Sequence, residues 1–374
     1  YAIDPAYGTA GDLKILVKRA HHRGMKVILD LVADHTSWDS VMMKHPEFYK
    51  HDSAGNIVSP VPAWRDVAAL DYSNEGLRRY MISMLKYWIV TYDVDGFRCD
   101  SAAMVPTDFW EQARTELSRT KPDIILLAEA SKPELLTNGF DIDYSWPLLG
   151  ALDDVLIKGS SADKLRQSWV DSEAKFPRGA LHMRISDDHD EIRAVNRYGF
   201  KAALAASALM FTLDGVPLLY NGMEIGDNNE SSGGALFKKE VIRWQTPRQP
   251  QWPVLYRDLI RLRHKYHAFQ DSPVDWLHNS DEKSLVSFRR ADETDEFLVV
   301  INFSNQPVTG RVTLEPADGF ARVKISGVDS NTGSFPNIHL EGYGWAIFHR
   351  TAIPTQAVTG RMSQKSTGGE SDAH

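Results

Sequence analysis

The sequence has a single cysteine, Cys99, and it lacks both long apolar runs and long basic runs. One cysteine excludes an internal disulfide, so the fold does not depend on an oxidising compartment. The longest apolar stretch, Ala202 to Leu213, contains Ser207 and Thr212 and is shorter than the roughly 18 residues of a membrane helix. The formal net charge is −8, from 42 basic and 50 acidic residues. These features argue against nucleic acid and membranes as partners, and they leave the compartment unspecified.

The composition is that of a globular protein with a large core. Of 374 residues, 43% are hydrophobic and 25% are charged, which excludes a disordered or fibrous chain. Up to about residue 270, short apolar runs alternate with amphipathic patterns, as parallel strands joined by helices do. The predicted strands are Val27–Val32, Val94–Cys99, Ile124–Ala128, Phe140–Tyr144, Leu181–Ser186 and Val216–Tyr220. The predicted helices cover 11–23, 74–92, 107–119, 162–174, 199–213 and 253–267.

The spacing of acidic residues favours one α/β architecture. A barrel of eight βα units in about 250 residues uses roughly 31 residues per unit. Asp100 and Glu129 are one such unit apart, and Glu129 and Asp190 are two units apart. The interval from Asp30 to Asp100 exceeds one unit by about 40 residues. Residues 36–73 are rich in turn formers, so we expect an insertion there.

The pattern divides the chain into three regions. Residues 1–270 are expected to form the barrel, including the insertion at 36–73. From 271 to 350 short alternating segments predict an antiparallel β-domain, and 351–374 has the composition of a disordered tail. Only six barrel strands are predicted where a closed barrel needs eight, so we expect the first two strands to be missing from this chain.

Acidic residues stand at the ends of four of the predicted strands. The carboxyl ends of barrel strands face a common mouth, so these side chains should converge on one pocket. A pair of carboxylates suits glycoside hydrolysis, in which one acts as nucleophile and the other as general acid. A metal hydrolase that uses Asp30, Asp34, Asp188 and Asp190 is an alternative. The residues in question are Asp30, Asp34 and His35; Arg98 and Asp100; Glu129; and Asp187 to Asp190.

Four segments together resemble the signature regions of the α-amylase family of glycoside hydrolases. They are Gly24 to Ser37 (GMKVILDLVADHTS), Asp95 to Asp100 (DGFRCD), Leu126 to Glu129 (LLAE) and Ser186 to Asp190 (SDDHD). The resemblance implies a (β/α)8 barrel with an insertion after its third strand and a C-terminal antiparallel β-sandwich. The segment Pro217 to Glu224 is similar to the last barrel strand of that family.

The resemblance also implies roles for individual residues. Asp100 would be the nucleophile that forms a covalent glycosyl intermediate, Glu129 the acid/base, and Asp190 the residue that stabilises the transition state. Among the substrate contacts, Asp30 would support Arg98. Trp64, in the insertion, has an aromatic face suited to stacking on a sugar ring. The expected substrate-binding residues are His35, Arg98, His189, Asp30 and Trp64.

The chain departs from the family pattern at several positions. Asp34 and Asp188 stand where the family usually has Asn. In some members the Asn at the position of Asp34 is a calcium ligand. An aspartate can also bind calcium, so calcium at Asp34 stays open although no cofactor is required. Residues 101–104 lack the Lys-His pair that many endo-acting members use.

The predicted function is retaining hydrolysis of α-glucosidic bonds in starch or maltodextrins, with an oligo- or polysaccharide as the partner. An exo-acting α-glucosidase or a transglycosylase with the same three acids is an alternative. A non-catalytic carbohydrate-binding barrel is an alternative of another class.

Overall fold

The computed structural model describes residues 1–229, 238–245, 249–326 and 332–352. Six strands of the first part form one parallel sheet in chain order, and β2 and β3 form a separate antiparallel pair. A parallel sheet whose neighbours follow chain order is the arrangement of consecutive βα units, as predicted. The strands of this part are β1 (Ile28–Val32), β2 (His35–Ser37), β3 (Val67–Ala69), β4 (Gly96–Asp100), β5 (Ile125–Ala128), β6 (Ile142–Tyr144), β7 (Leu181–Arg184) and β8 (Val216–Pro217).

Helices follow most strands of the parallel sheet, and the six predicted ones agree with the structure to within two residues. The sequence pattern missed α4, α5 and α7 because two of them are single turns and α5 opens with Trp146-Pro147 directly after a strand. Proline is well tolerated in the first turn of a helix. The helices are α1 (Ala10–His21), α2 (Glu75–Tyr92), α3 (Thr107–Ser118), α4 (Leu135–Asn138), α5 (Trp146–Leu156), α6 (Asp163–Lys175), α7 (Ala194–Tyr198), α8 (Phe200–Thr212) and α9 (Trp252–Lys265).

Helix α2 shows how local sequence sets one of these units. Its N-cap is Asn74, whose side-chain oxygen accepts hydrogen bonds from the N–H groups of Gly76 and Leu77. Leu77 and Leu85 are buried with Phe97 of β4 in one apolar cluster. The apolar face of α2 therefore packs against β4, the strand that carries Arg98 and Asp100.

Gly96, at the start of β4, allows β4 and β5 to approach closely. A Cβ atom at this position would lie 1.8 Å from the carbonyl oxygen of Ile125, a distance that no side chain tolerates. The register of the pair then sets Arg98 opposite Leu127 and Cys99 opposite Ala128. Glu129 follows directly and donates its N–H to the Cys99 carbonyl, so the ends of the two strands are joined.

The parallel sheet is open at both edges. Among the described residues, no strand pairs with the outer side of β1 or of β8. Apolar clefts border these edges. The cleft of about 430 Å³ beside β1 includes Leu29, Leu31 and Phe97, and the one of about 370 Å³ beside β8 includes Phe211 and Leu219. The sheet thus contains the six barrel strands that the sequence predicts.

The last part of the chain is a sandwich of two antiparallel sheets. The five-stranded sheet has the order β13-β16-β11-β10-β9 and the three-stranded sheet has the order β12-β15-β14. Leu298 of the first sheet and Ile338 of the second lie in one apolar cluster. The strands are β9 (Asp275–Trp276), β10 (Leu285–Ala291), β11 (Asp295–Asn302), β12 (Val308–Arg311), β13 (Ala321–Arg322), β14 (Thr332–Ser334), β15 (Asn337–Leu340) and β16 (Trp345–Thr351).

Several predicted strands are shorter in the structure. The prediction for Phe140–Tyr144 contracts to Ile142–Tyr144, and the one for Val216–Tyr220 contracts to Val216–Pro217. Next to these strands the N–H groups of Asp141 and Leu218 still donate to the carbonyls of Leu126 and Arg184, and a sequence pattern does not show where the regular ladder ends. The predicted tail, apart from 351 and 352, lies outside the described residues. Within the described part of the chain, every helix is too short or too polar to cross a membrane.

Candidate active site

Arg98 lies at the centre of a carboxylate cluster at the carboxyl ends of the strands. Residues two apart in a strand share a face, so Arg98 and Asp100 point the same way from β4. The Nη1 atom of Arg98 donates hydrogen bonds to Asp30 at 3.0 Å and to Asp100 at 2.7 Å. Its Nη2 atom forms an ion pair with Oε1 of Glu129 at 3.0 Å. One buried guanidinium therefore gathers the acids of β1, β4 and the end of β5.

Glu129 is held from two sides. Its Oε1 atom faces Arg98, and its Oε2 atom accepts a hydrogen bond of 2.7 Å from the backbone N–H of Ser101. Burial raises the pKa of Glu129 to about 6, against the opposing effects of the Ser101 N–H and of Arg98. The charges of Asp100 and Asp190 add to this rise of the pKa. Burial contributes more to this rise of the pKa than the neighbouring carboxylates do.

Ser101 has an uncommon backbone conformation. Its φ is 43° and its ψ is 40°, in the left-handed region that residues other than glycine rarely adopt. This conformation turns the chain directly after Asp100 and aims the Ser101 N–H at Glu129. No sequence pattern indicates this contact, because it uses a backbone N–H group, which every residue except proline has.

Asp190 lies in the loop after β7. Its backbone N–H donates to Oδ1 of Asp188 at 3.0 Å, and its carboxylate is 3.2 Å from Nε2 of His189. Burial raises the pKa of Asp190, and the charges of Asp188 and Asp100 act in the same direction. The hydrogen bond that the His189 ring donates to the Asp188 carboxylate raises the pKa of His189. The charges of Arg98 and Asp100 both act on the pKa of Asp190, in opposite directions.

Asp187 and Arg193 form a buried pair that anchors the same loop, and no sequence pattern indicates this pairing. Nε of Arg193 lies 3.3 Å from Oδ2 of Asp187, and the guanidinium lies 4.5 Å from the centre of the Tyr220 ring. Asp187 also accepts the N–H of Ala194 at 3.1 Å. Burial raises the pKa of Asp187 to about 6. The loop with Asp190 is thus tied to the segment that follows β8.

His35 and Trp64 lie together on the insertion. Their rings meet edge to face with centroids 5.8 Å apart, and Nδ1 of His35 is 3.0 Å from Oδ1 of Asp34. The pairing of β2 with β3 sets the position of His35 at the start of the insertion. The Trp64 side chain is 37% exposed, which leaves a free face. These two residues contact each other and not the Arg98 guanidinium.

Tyr144 is a further residue of the cluster that the sequence did not mark. Nε of Arg98 donates to the Tyr144 hydroxyl at 3.2 Å. Tyr144 ends β6 and is 4% exposed. An aromatic residue in a buried strand is ordinary, so the pattern offered nothing to separate it from the core.

The structure tests whether Asp34 fits a calcium ion. Both carboxylate oxygens of Asp34 are buried without a hydrogen bond, which favours a cation in principle. Calcium takes about six to eight oxygen ligands, however, and Asp34 belongs to no group of three or more ligand-type side chains in the described part of the chain. The side chains around Asp34 therefore do not make a carboxylate cage, and no chemical step is assigned to calcium.

The alternative of a metal hydrolase built on four aspartates is wrong. Asp30 is paired with Arg98, and the only ligand-type group among the described residues is Asp188, His189 and Asp190. Asp34 contacts His35 instead. The four aspartates do not converge on one point.

Comparisons with known proteins agree with this architecture. A family model of the alpha amylase catalytic domain matches residues 1–55 and 63–297. An alpha-amylase of Haloarcula japonica is 29% identical over 319 residues, which are 81% of this chain and 46% of that protein. The chain therefore spans about half the length of that relative.

Solved structures show the same fold. A maltogenic alpha-amylase of Thermotoga neapolitana superposes with a TM-score of 0.80 at 28% identity, over 94% of this chain and 84% of that one. An alpha-amylase of Lactobacillus plantarum gives a TM-score of 0.81 at 27% identity, over 93% and 83%. The fold is that of a TIM-barrel carbohydrate enzyme with a C-terminal β-sandwich. The chain belongs to the alpha-amylase family of glycoside hydrolases.

Proposed function

We propose that this chain is a retaining glycoside hydrolase that cleaves α-glucosidic bonds in starch- or maltodextrin-type glucans. The observation that carries the proposal is the pairing of Arg98 with Asp100 and Glu129 at the strand ends. Retaining enzymes need one ionised and one protonated carboxyl group close together. The names of similar proteins, among them amylases and a maltogenic amylase, support an α-glucan as the substrate.

In the first half-reaction Asp100 is the nucleophile. A carboxylate oxygen of Asp100 forms a bond to the anomeric carbon while the bond from that carbon to the leaving oxygen breaks. Glu129 gives its proton to the leaving oxygen, so the shortened sugar departs as a neutral alcohol. Arg98 helps to keep Asp100 in place for the attack because Nη1 contacts one of its oxygens.

In the second half-reaction Glu129 acts as a base. It takes a proton from water, the water oxygen bonds to the anomeric carbon, and the bond to Asp100 breaks. Two inversions give net retention of the α configuration. The ionised Glu129 between the two steps is stabilised by Arg98 and by the N–H of Ser101.

The remaining residues of the site bind the sugar. Asp190, beside Asp188 and His189, can accept hydrogen bonds from sugar hydroxyls and stabilise positive charge at the anomeric carbon. His35 and the free face of Trp64 suit a sugar unit further along the glucan. Asp30 supports Arg98 rather than the substrate.

Proton NMR of maltoheptaose incubated with the purified chain tests the proposal. We expect new α-anomeric reducing ends, and these should vanish in Glu129→Gln. Glu111→Gln is the matched control, because Glu111 lies on α3 and its contact with Asn138 survives as an amide. Product lengths then separate endo action from exo action and transfer. A folded chain that binds maltoheptaose without cleaving it would instead support a binding barrel.

A further inference from the structure

The Tyr144 hydroxyl lies within hydrogen-bond distance of Nε of Arg98. The guanidinium is planar and its N–H groups project in a fixed fork, so holding Nε restricts where Nη1 and Nη2 point. Nε donates to the Tyr144 hydroxyl at 3.2 Å, Nη1 reaches Asp100, and Nη2 reaches Glu129. Nε and Nη1 of Arg98 make hydrogen bonds, whereas Nη2 lies at ion-pair distance from Glu129 without a hydrogen bond of its own.

We propose that Tyr144 is a positioning residue for the hydrolysis proposed above. Its phenol oxygen fixes the rotation of the Arg98 guanidinium, and through it the division of contacts between Asp100 and Glu129. The inference rests on the proposed function for its kinetic readout, but the geometry it describes is present without substrate.

Tyr144 is itself held firmly. Its ring stacks on Trp146 with centroids 5.1 Å apart and an interplanar angle of 22°. Its backbone N–H donates to the carbonyl of Ala130 at 3.0 Å, and Ala130 follows Glu129 directly. The hydroxyl that receives Nε is therefore fixed relative to the acid/base residue.

The chemistry of a phenol suits this position. Burial raises the pKa of Tyr144, so the hydroxyl stays neutral at working pH. A neutral acceptor satisfies Nε without competing for the positive charge that Asp100 and Glu129 share. A carboxylate in its place would draw the guanidinium toward β6.

Removal of the Tyr144 hydroxyl should change the pKa of Glu129 in one definite direction. In Tyr144→Phe, Nε loses its acceptor in a buried site and the guanidinium is free to turn. Arg98 favours the ionised form of Glu129, so a weaker contact raises the pKa of Glu129. We expect kcat to fall about tenfold with KM nearly unchanged, and the alkaline limb of kcat/KM to move up by about half a pH unit.

Tyr256→Phe is the matched control. Tyr256 is also a buried tyrosine, and its hydroxyl bonds to Ser207 at 2.8 Å between α8 and α9, away from the acids. Both variants should lose similar thermal stability, and only Tyr144→Phe should shift the pH profile. Equal effects of the two variants, or an unmoved alkaline limb in Tyr144→Phe, would overturn the proposal.

Two measurements need no turnover. The ¹³C titration of the Glu129 carboxyl, assigned with Glu129→Gln, should show a higher pKa in Tyr144→Phe even if the chain cleaves no glucan. That result would separate a failure of the proposed function from a failure of this inference. Should Tyr144→Phe not fold, the Arg98 Nε–H of the unchanged chain should still give a resolved ¹⁵N resonance in slow exchange with water. A rapidly exchanging signal contradicts the fixed contact.

Discussion

The backbone N–H of Ser101 donates a hydrogen bond of 2.7 Å to Oε2 of Glu129. The residue after the proposed nucleophile thus holds the proposed acid/base, and the ends of β4 and β5 act as one unit. The bond favours the ionised carboxylate, while burial favours the protonated form. The balance of the two sets the pKa of Glu129 at about 6.

The pH profile of turnover should reflect this balance. The first step needs Glu129 protonated, so kcat/KM should fall as the pH rises above about 6. In Glu129→Gln this limb should disappear together with most of the activity. Initial rates on maltoheptaose between pH 4 and 9 measure the effect. A limb centred above pH 8 would contradict the assignment of the acid.

Glu129 should also contribute to the pH dependence of stability. Its pKa is higher in the folded chain than the ordinary value of 4.5, so its contribution is present below pH 4.5 and is lost as the pH rises through about 6. Between pH 4.5 and 7 the melting temperature of Glu129→Gln should therefore decline less than that of the unchanged chain. Scanning calorimetry at both pH values measures the difference.

Asp100→Asn should abolish turnover without unfolding the chain. An amide does not replace a carboxylate as nucleophile, so we expect a loss of about a thousandfold or more in kcat. Asp171→Asn, on the exposed surface of α6, is the control and should keep full activity. Circular dichroism verifies the fold of both. Residual turnover in Asp100→Asn above one part in about a thousand would exclude Asp100 as nucleophile.

Trp64→Ala should weaken substrate binding. The loss of one aromatic face costs about 1 kcal/mol, which corresponds to a rise in KM of roughly fivefold, with kcat little changed. Trp64→Phe keeps a ring beside His35 and should recover part of the loss. Steady-state kinetics on maltoheptaose measure KM and kcat of the two variants and of the unchanged chain. An unchanged KM in Trp64→Ala would remove this residue from the binding site.

Chelation of metal ions should leave turnover unchanged. The proposed mechanism uses carboxyl groups and Arg98, and the side chains around Asp34 do not form a cage for calcium. We expect the same kcat before and after dialysis against EDTA. If activity were lost in EDTA and restored by added calcium, a metal would be part of the active state.

The open edges of the parallel sheet should make the chain associate with itself. The outer side of β1 exposes backbone groups beside apolar side chains, and Val32 is 47% exposed. We expect a concentration-dependent mass in sedimentation velocity. A monodisperse monomer that melts cooperatively would contradict this prediction.

Much of the fold follows from the sequence because the helices are long and periodic. Helix α2 has its cap at Asn74 and one apolar face, so both its existence and its start are readable. The strand β8 is not, since only Val216 and Pro217 join the ladder and the next apolar residues pack as loop. The helix α5 is not readable because it opens with Trp146-Pro147 directly after β6.

The residues of the candidate site also differ in whether the sequence indicates them. Asp100 and Glu129 stand out in the sequence because acids at strand ends are unusual. Ser101 acts through a backbone atom, and Tyr144 reaches Arg98 across 46 positions of sequence. The pairing of Asp187 with Arg193 depends on how the loop folds back. Contacts of this kind depend on tertiary structure and leave no local pattern.

Asp30 leaves one flank of the carboxylate cluster in contact with bulk water. Its side chain is 59% exposed and borders the cleft beside β1, while its partner Arg98 touches Asp100. In the proposed mechanism the glycosyl group on Asp100 is captured either by water or by the hydroxyl of another sugar, and open access for water favours hydrolysis. We therefore expect shortened sugars rather than elongated ones to dominate the products, even when the concentration of maltooligosaccharide is high.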